Sequence, residues 1–261
     1  MKGLILSAGM GTRLNPLTLT RPKCLVNVAG RPMMEYQLDS LKKAGIQDCT
    51  IVVGYMAESV RSYFGSSYRG ISLSYVENKI YDKTNNLYSL WLAKDEFYDD
   101  MLLLEGDLVF DDGMVSELCL MDEENVAVVD QYRPAMDGTV ILANGSFAKA
   151  MVLKSNQGLG FNYGFALKTV NIYRLSRRTL LNSVVPEMED FLAKGHTDQY
   201  YEAVFASLIE SNRMKMAVMH AGDIKWAEID TLGDLEAAEN MLQAATPGSR
   251  RDGPRRTALI R

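Results

Sequence analysis

The chain is predicted to be an α/β protein with a doubly wound, mostly parallel sheet, and three observations predict it. Strand, helix, strand, helix and strand follow one another from Leu4 to Val76 at spacings that suit parallel pairing with right-handed crossovers. The first strand, Leu4 to Leu6, is an apolar run of the kind buried on both faces of such a sheet. A glycine-containing loop follows at once, at the carboxyl end of the strand, where open α/β sheets bind ligands.

Taken in order, Cys24 to Val28 reads as extended. Gly30-Arg31-Pro32 then turns into a helix with Met34, Leu38 and Leu41 on one face and Gly45 placed to cap it. Cys49 to Val53 reads as a second buried strand, Ala57 to Phe64 as a helix and Ile71 to Val76 as a third strand. The polar stretch from Glu77 becomes helical after Asn85-Asn86, where Asn86 is suited to cap the helix. Met101 to Phe110 reads as one buried strand carrying Asp107, and Val126 to Val129 as another. Asn144-Gly145 between two β-patterned runs is the strongest hairpin signal in the chain. Strand–helix alternation fails there, which predicts a small substrate-facing β sub-domain over about 130–175. Helices are expected at Ser176 to Ser183, Pro186 to Lys194 and Tyr200 to Ser211, with a strand at Met214 to Met219. Thr231 and Asp234 fit the start of a last helix running to about Gln243. Residues 1–245 thus form one domain, and the Gly-, Pro- and Arg-rich residues 246–261 read as a disordered tail.

A chain of 261 residues, 47% hydrophobic and 23% charged, is long enough to bury a substantial core. Its net charge of −5 is uneven: residues 250–261 hold five arginines and one aspartate, leaving about −9 on the rest. An acidic body argues against nucleic-acid binding, so anionic substrates must be held by a few placed cations and metal. Three widely spaced cysteines without a Cys-x-x-Cys pair fit a reduced cytoplasmic setting as core filler. No stretch has the length of a membrane span, and with only His196 and His220 there is little material for histidine-based catalysis.

The loop after the first strand reads as a phosphate cradle. Gly9 and Gly11 allow close approach of phosphate oxygens, Thr12 can donate a hydrogen bond, Arg13 can grip phosphate bidentately, and Lys23 can return to the same spot as a point charge. The dinucleotide fingerprint would need glycine at Leu14, and the Walker loop would need Gly-Lys-Ser/Thr where Gly11-Thr12-Arg13 stands. Asp107 places a carboxylate at the same sheet edge, where unless paired or solvated it suits a Mg²⁺ ion.

With Arg13, Pro22 and Lys23 at these spacings, the stretch resembles the signature of the nucleotidyltransferases that join a nucleoside triphosphate to a sugar phosphate or a small phosphorylated alcohol or phosphonate. Asn85-Asn86-Leu-Tyr-Ser89-Leu is similar to the phosphocholine cytidylyltransferase branch, and Lys168-Thr-Val-Asn171-Ile-Tyr173 resembles a segment of the nucleotidyltransferases of phosphonate biosynthesis. The resemblance runs from Gly3 to about Leu242 and implies a Rossmann-like fold, CTP as donor, and a small phosphonate or phosphate as acceptor. It implies nucleotide contacts from Leu6, Ala8, Gly9, Met10, Gly11, Thr12, Arg13 and Lys23, from Glu77, Asn78, Asn85, Asn86 and Ser89, and from Asp107. Lys23 and Arg13 would be catalytic. Asp107, with the aspartate of Glu228-Ile-Asp230-Thr231, would hold Mg²⁺. Arg133, Lys168 and Asn171 suit a small anionic acceptor, which favours phosphonoformate or 2-aminoethylphosphonate. Phosphocholine and a sugar 1-phosphate are the alternatives, and a nucleotide-binding regulatory module is the reading outside enzymology. A homodimer is compatible with the resemblance.

Overall fold

The computed structural model describes residues 1–244, so the expected tail at 246–261 lies outside the described residues. The apolar N-terminal run becomes β1 (Lys2–Ser7). A hairpin of β2 (Asn27–Val28) and β3 (Arg31–Pro32) leads into α1 (Met33–Lys43), followed by β4 (Asp48–Val53), α2 (Ala57–Phe64), β5 (Ser67–Tyr68), β6 (Ile71–Glu77) and α3 (Asn86–Leu92). Next come β7 (Met101–Glu105), β8 (Leu108–Phe110), α4 (Gly113–Cys119), β9 (Val126–Gln131), β10 (Val140–Asn144), β11 (Phe147–Val152) and β12 (Ala166–Leu175). The chain continues through α5 (Arg177–Thr179), a π-turn at Leu180–Val184, α6 (Val185–Ala193), α7 (Tyr201–Glu210), β13 (Ala217–His220), β14 (Trp226–Glu228) and α8 (Leu232–Ala244).

Ten strands form one sheet in the order β10-β11-β13-β9-β12-β7-β1-β4-β6-β5. β1 pairs in parallel with both β4 and β7, and β4 in parallel with β6, as the strand–helix alternation predicts. Side chains alternate across this parallel core. Ile5, Ile51, Leu102 and Leu104 pack on one face against α1, α2 and α4, whereas Leu4, Leu6, Val52 and Leu103 pack on the other against α3, α6 and α7. Cys24 and Cys49 belong to the first of these clusters.

Where alternation fails in the sequence, the sheet turns antiparallel. β12 inserts between β7 and β9, antiparallel to both, and the β10–β11 hairpin closes on Asn144↔Phe147 and pairs with β12. Segment 130–175 is therefore hydrogen-bonded into the main sheet.

Four local expectations are corrected. The run from Met101 to Phe110 is two strands: the Gly106 N–H still donates to Leu6 O (2.8 Å), after which the chain turns at Asp107 and β8 leaves to pair with β14. Cys24 to Val28 opens with a single 3₁₀ turn at Lys23–Leu25 before β2. The cap of α3 is Asn85, whose side chain accepts from the Asn86 N–H at 2.8 Å. The helix expected at Ser176 to Ser183 is three residues of α-helix running into the π-turn. By contrast, Thr231 and Asp234 cap each other as expected: Asp234 N–H donates to Thr231 Oγ1 (3.2 Å), and Thr231 N–H to Asp234 Oδ2 (2.8 Å).

A third cluster fixes the functional edge. Leu14, Val26, Val28 and Met33 pack with Val109, Ile229 and Ala238, tying the loop after β1 to β8, to the residues after β14 and to α8. The crossing of β1 and β7 needs glycine at 106, because a Cβ there would lie 2.7 Å from Ser7 Oγ and 2.9 Å from Leu6 O. Gly106→Ala is expected to destabilise the fold by about 1–3 kcal/mol, read as a lower midpoint of urea unfolding at unchanged m-value; an unchanged midpoint would show that this crossing has slack.

Candidate active site

Gly11 adopts φ +61°, and its carbonyl accepts from Thr18 Oγ1 (2.9 Å) and from the Leu14 N–H (3.0 Å), which closes the loop after β1. A Cβ at Gly11 would meet Lys23 Cβ at 2.9 Å, so glycine here also lets Lys23 fold against the loop. Gly9 faces open space. The returning Lys23 places its Nζ 2.7 Å from Asp107 Oδ2 and 2.7 Å from Asp230 Oδ1, and Arg13 reaches the same Asp230 oxygen at 2.8 Å. Burial opposes the charge on Lys23, but Asp107 and then Asp230 outweigh it and hold the ammonium well above its ordinary pKa. Three parts of the chain, at 13–23, 107 and 230, thus meet on one ammonium.

The loop after β6 is ordered by Asn78, which is 1% exposed. Its Nδ2 donates to Thr84 Oγ1 (2.9 Å) and Ser89 Oγ (3.1 Å), and its Oδ1 accepts from the Ile80 N–H (3.1 Å). Asn86 ties elements together: its Nδ2 donates to Glu105 Oε1 (3.1 Å), and its Oδ1 accepts from the Tyr201 N–H at the start of α7 (2.9 Å).

These groups line a cleft of about 1120 Å³ across the carboxyl ends of β1, β6 and β7. Of the residues expected at the nucleotide, Leu6, Ala8, Gly9, Met10, Gly11, Thr12, Arg13, Lys23, Asn78, Asn85, Asn86, Ser89 and Asp107 all line it. Glu77 does not; its carboxylate pairs with Arg61 at 2.8 Å on α2. Neither histidine lines the cleft, and both are exposed.

The expectation of a basic acceptor pocket is corrected. Arg133 pairs with Asp130 (2.7 Å) away from the cleft lining. Lys168 is 2% exposed and lies under the wall, its Nζ donating to Thr169 O (2.8 Å) and Glu228 Oε2 (3.2 Å). Asn171 does reach the lining, with Nδ2 3.4 Å from Glu228 Oε1. The wall facing that end of the cleft is acidic: Glu105, Glu202 and Glu228. Burial raises all three carboxyls. Neighbouring Glu202, Asp107 and Glu228 add to the shift of Glu105, which stands well above its usual range. Glu228 is raised with Lys168 pulling against the burial. Glu202 is pushed up to about 7, burial again outweighing its hydrogen bonds and Lys168.

Sequence reasoning passed over these glutamates as site residues. Glu105 stands two positions before Asp107 on the same strand end, and Glu228 was left unexplained by the helix cap, so each carried a signal. Glu202 carried none, since the fold alone brings the first turn of α7 to the cleft.

The donor set suits a hard divalent cation. Glu105, Asp107 and Glu228 each offer a carboxylate oxygen within 4.8 Å of the others, and Asp107 Oδ1 is buried without a hydrogen-bond partner among the described residues. Asp230, expected beside Asp107, shares Lys23 with it and stands outside that trio.

Known proteins share this architecture. Residues 2–131 match the family described as Nucleotidyl transferase. The chain is 31% identical over 240 residues to the CMP-5'-(3-aminopropyl)phosphonate synthase of Streptomyces rubellomurinus, which covers 92% of this chain but only 38% of that longer protein. It is 28% identical over 262 residues to the CTP:phosphoglutamine cytidylyltransferase of Campylobacter jejuni, covering 90% of this chain and 98% of the relative. Among solved structures, the CTP:phosphocholine cytidylyltransferase of Streptococcus pneumoniae superposes with a TM-score of 0.73 at 25% identity, over 92% of this chain and 98% of that one.

The buried Glu202 also marks stability. A carboxyl whose pKa rises from about 4.3 in the unfolded chain to about 7 in the folded one binds its proton more tightly when folded. Its contribution is complete below about pH 4 and is lost as pH rises through about 7. Glu202→Gln should therefore gain on the parent by on the order of 3 kcal/mol between pH 4 and pH 8, measured by denaturant unfolding at both pH values. A pH-independent difference would show that Glu202 titrates as an ordinary carboxyl.

Proposed function

The chain belongs to the nucleotidyl transferase family, in its cytidylyltransferase branch, and on that premise we propose that it transfers CMP from CTP to a small phosphonate with release of pyrophosphate. The observation that carries this reading is the meeting of the Gly9–Arg13 loop, Lys23, Asp107 and Asp230 at one end of a cleft whose other end is acidic. In the reaction, a phosphonate oxygen forms a bond to the α-phosphorus of CTP. The bond from that phosphorus to the bridging oxygen breaks, and the electron pair leaves with pyrophosphate.

The acceptor oxygen is ionised near neutral pH, so no general base is needed, in keeping with a cleft free of histidine among the described residues. The obstacle is repulsion. Two like charges at 4 Å cost about 4 kcal/mol at an effective dielectric of 20, and the reactants bring several such pairs. Arg13 and Lys23 are placed to offset this at the α-phosphate and the departing pyrophosphate. Lys23 is held charged by the two aspartates in the cleft lining, so its ammonium is already placed beside the loop when phosphates arrive. Asp107 would hold Mg²⁺ through its unpartnered Oδ1 beside Glu105 and Glu228, and Asp230, engaged by Lys23 and Arg13, would join as the second aspartate only on release from them. When bound, the ion supplies further positive charge to the phosphate oxygens.

The acidic residues of the wall support one of the acceptors expected from the sequence over the others. Phosphonoformate would add a carboxylate to Glu105, Glu202 and Glu228, which already oppose one another's ionisation, whereas the ammonium of an aminoalkyl phosphonate would favour their charged forms, so the reading favours 2-aminoethylphosphonate. Phosphocholine is the second reading, favoured by Tyr200 and Trp226, whose rings border the cleft and suit a quaternary cation. Mg²⁺ dependence enters as an expectation from the position of Asp107 and the family resemblance, a homodimer from the resemblance alone, and a cytoplasmic setting from the cysteine usage. Among the described residues, no helix is long and apolar enough to cross a membrane.

The test is pyrophosphate release with each nucleoside triphosphate crossed with 2-aminoethylphosphonate, phosphonoformate, phosphocholine and glucose 1-phosphate. CTP with 2-aminoethylphosphonate should turn over fastest; no release from any pair would point to a nucleotide-binding module. Lys23→Ala should keep a cooperative thermal transition and lose at least about 100-fold in kcat. Turnover near that of the parent would remove Lys23 from the chemistry.

A further inference from the structure

The charges in the cleft separate into two ends. At the phosphate end Arg13 and Lys23 face Asp107 and Asp230, and Asp234 also lines the cleft. At the other end Glu105, Glu202 and Glu228 gather around the buried Lys168, while Lys154, which also lines the cleft, pairs with Asp137 at 2.7 Å. Lys168 has no reach to spare: its ammonium is buried and committed to Thr169 O and Glu228 Oε2. It serves as an internal counterion that holds Glu228 in place.

Glu202 is the residue this arrangement leaves unfinished. Its side chain is 5% exposed and lines the cleft. Oε1 has a contact with Thr139 Oγ1 at 3.5 Å, and Oε2 is buried with no hydrogen-bond partner among the described residues. A buried carboxylate oxygen without a donor is costly, by more than a typical hydrogen bond returns. Glu202 also stands outside the trio Glu105, Asp107 and Glu228, whose oxygens lie close enough to share one metal ion. Glu202 thus lines the cleft apart from those three, with Oε2 occluded and unpaired.

We propose that Glu202 is a specificity residue that accepts a hydrogen bond from a primary ammonium on the acceptor, and that the acidic end of the cleft selects N–H-bearing cations. This rests on the acceptor reading above and deepens it. A trimethylammonium group carries the same charge but has no N–H to donate, so it would leave Oε2 unpaired. An acceptor with an uncharged tail would leave both the charge and the hydrogen bond unanswered. A hydrogen bond to a charged group contributes enough to separate such ligands by roughly 10- to 100-fold in affinity.

The test reads binding, so that it does not depend on turnover. 2-Aminoethylphosphonate, its N,N,N-trimethyl analogue and ethylphosphonate are titrated calorimetrically into the protein in the presence of Mg²⁺ and a non-hydrolysable CTP analogue. The parent protein is expected to bind the primary amine at least about 10-fold more tightly than either comparator. Glu202→Gln should erase that preference while leaving affinity for the nucleotide and for ethylphosphonate within about 3-fold. Equal affinity for the three ligands in the parent, or a preference that survives in Glu202→Gln, would overturn the proposal. So would a changed Mg²⁺ requirement with all three affinities unaltered, because Glu202 would then serve the metal. Should Glu202→Gln fail to fold, Glu202→Asp keeps the carboxylate but withdraws it, and is expected to weaken the preference without abolishing it; an undiminished preference there would count against the proposal. If the binding preference is present but no phosphonate releases pyrophosphate, it is the proposed reaction that fails, and the ammonium-selective site stands.

Discussion

The Lys23 ammonium, held between Asp107 and Asp230, is the contact on which the functional edge depends. It joins chain segments separated by 84 and 207 positions, and each segment is delivered by a different element: the loop after β1, the turn between β7 and β8, and the residues after β14. An ammonium this enclosed would lose its charge to desolvation if unpaired. The two aspartates reverse that outcome, and the ammonium in turn keeps two carboxylates together at one edge. The apolar cluster of Leu14, Val26, Val109 and Ile229 lies beside this contact and restrains the same segments. Charge and packing therefore specify one geometry, and an ammonium fixed beside the loop after β1 is its chemical result.

The other half of the cleft is organised by the opposite problem. There carboxylates outnumber cations, and the buried Lys168 is turned inward toward Glu228. Asn86 links this wall to the nucleotide side, since one amide donates to Glu105 and accepts from the backbone of Tyr201, the residue before Glu202. Loop, strand and helix are thereby joined beside the cleft. On the proposed reading, a substrate with an anion at one end and a cation at the other would complement both halves.

The parallel core and the glycine loop that lines the cleft were legible in the sequence because their signals are local. Alternation of apolar strands with amphipathic helices, and Gly9, Gly11, Arg13 and Lys23 within one short span, need no knowledge of distant contacts. Asp107 and Asp230 were legible through the family resemblance, and their convergence on Lys23 follows from strand order. Arg133 and Lys168 misled for a single reason: a cation's partner cannot be read from composition. One spends its charge on Asp130 three residues away, the other on Glu228 sixty positions on. Glu77 was misplaced similarly, being held by Arg61. Glu202 was invisible because only the packing of α7 beside α3 and β7 brings it to the cleft. The break of the strand at Gly106 was hidden since Leu108 to Phe110 is as apolar as Met101 to Leu104, and what divides them is the pairing of β8 with β14.

The most direct measurement of the central claim is phosphorus NMR of the protein incubated with CTP, Mg²⁺ and 2-aminoethylphosphonate. Attack at the α-phosphorus predicts that the triphosphate signals are replaced in equal amounts by free pyrophosphate and by a pair of coupled resonances, one phosphonate and one phosphate, joined in a new anhydride. Appearance of cytidine diphosphate with inorganic phosphate, or an unchanged phosphonate resonance while CTP is consumed, would contradict it.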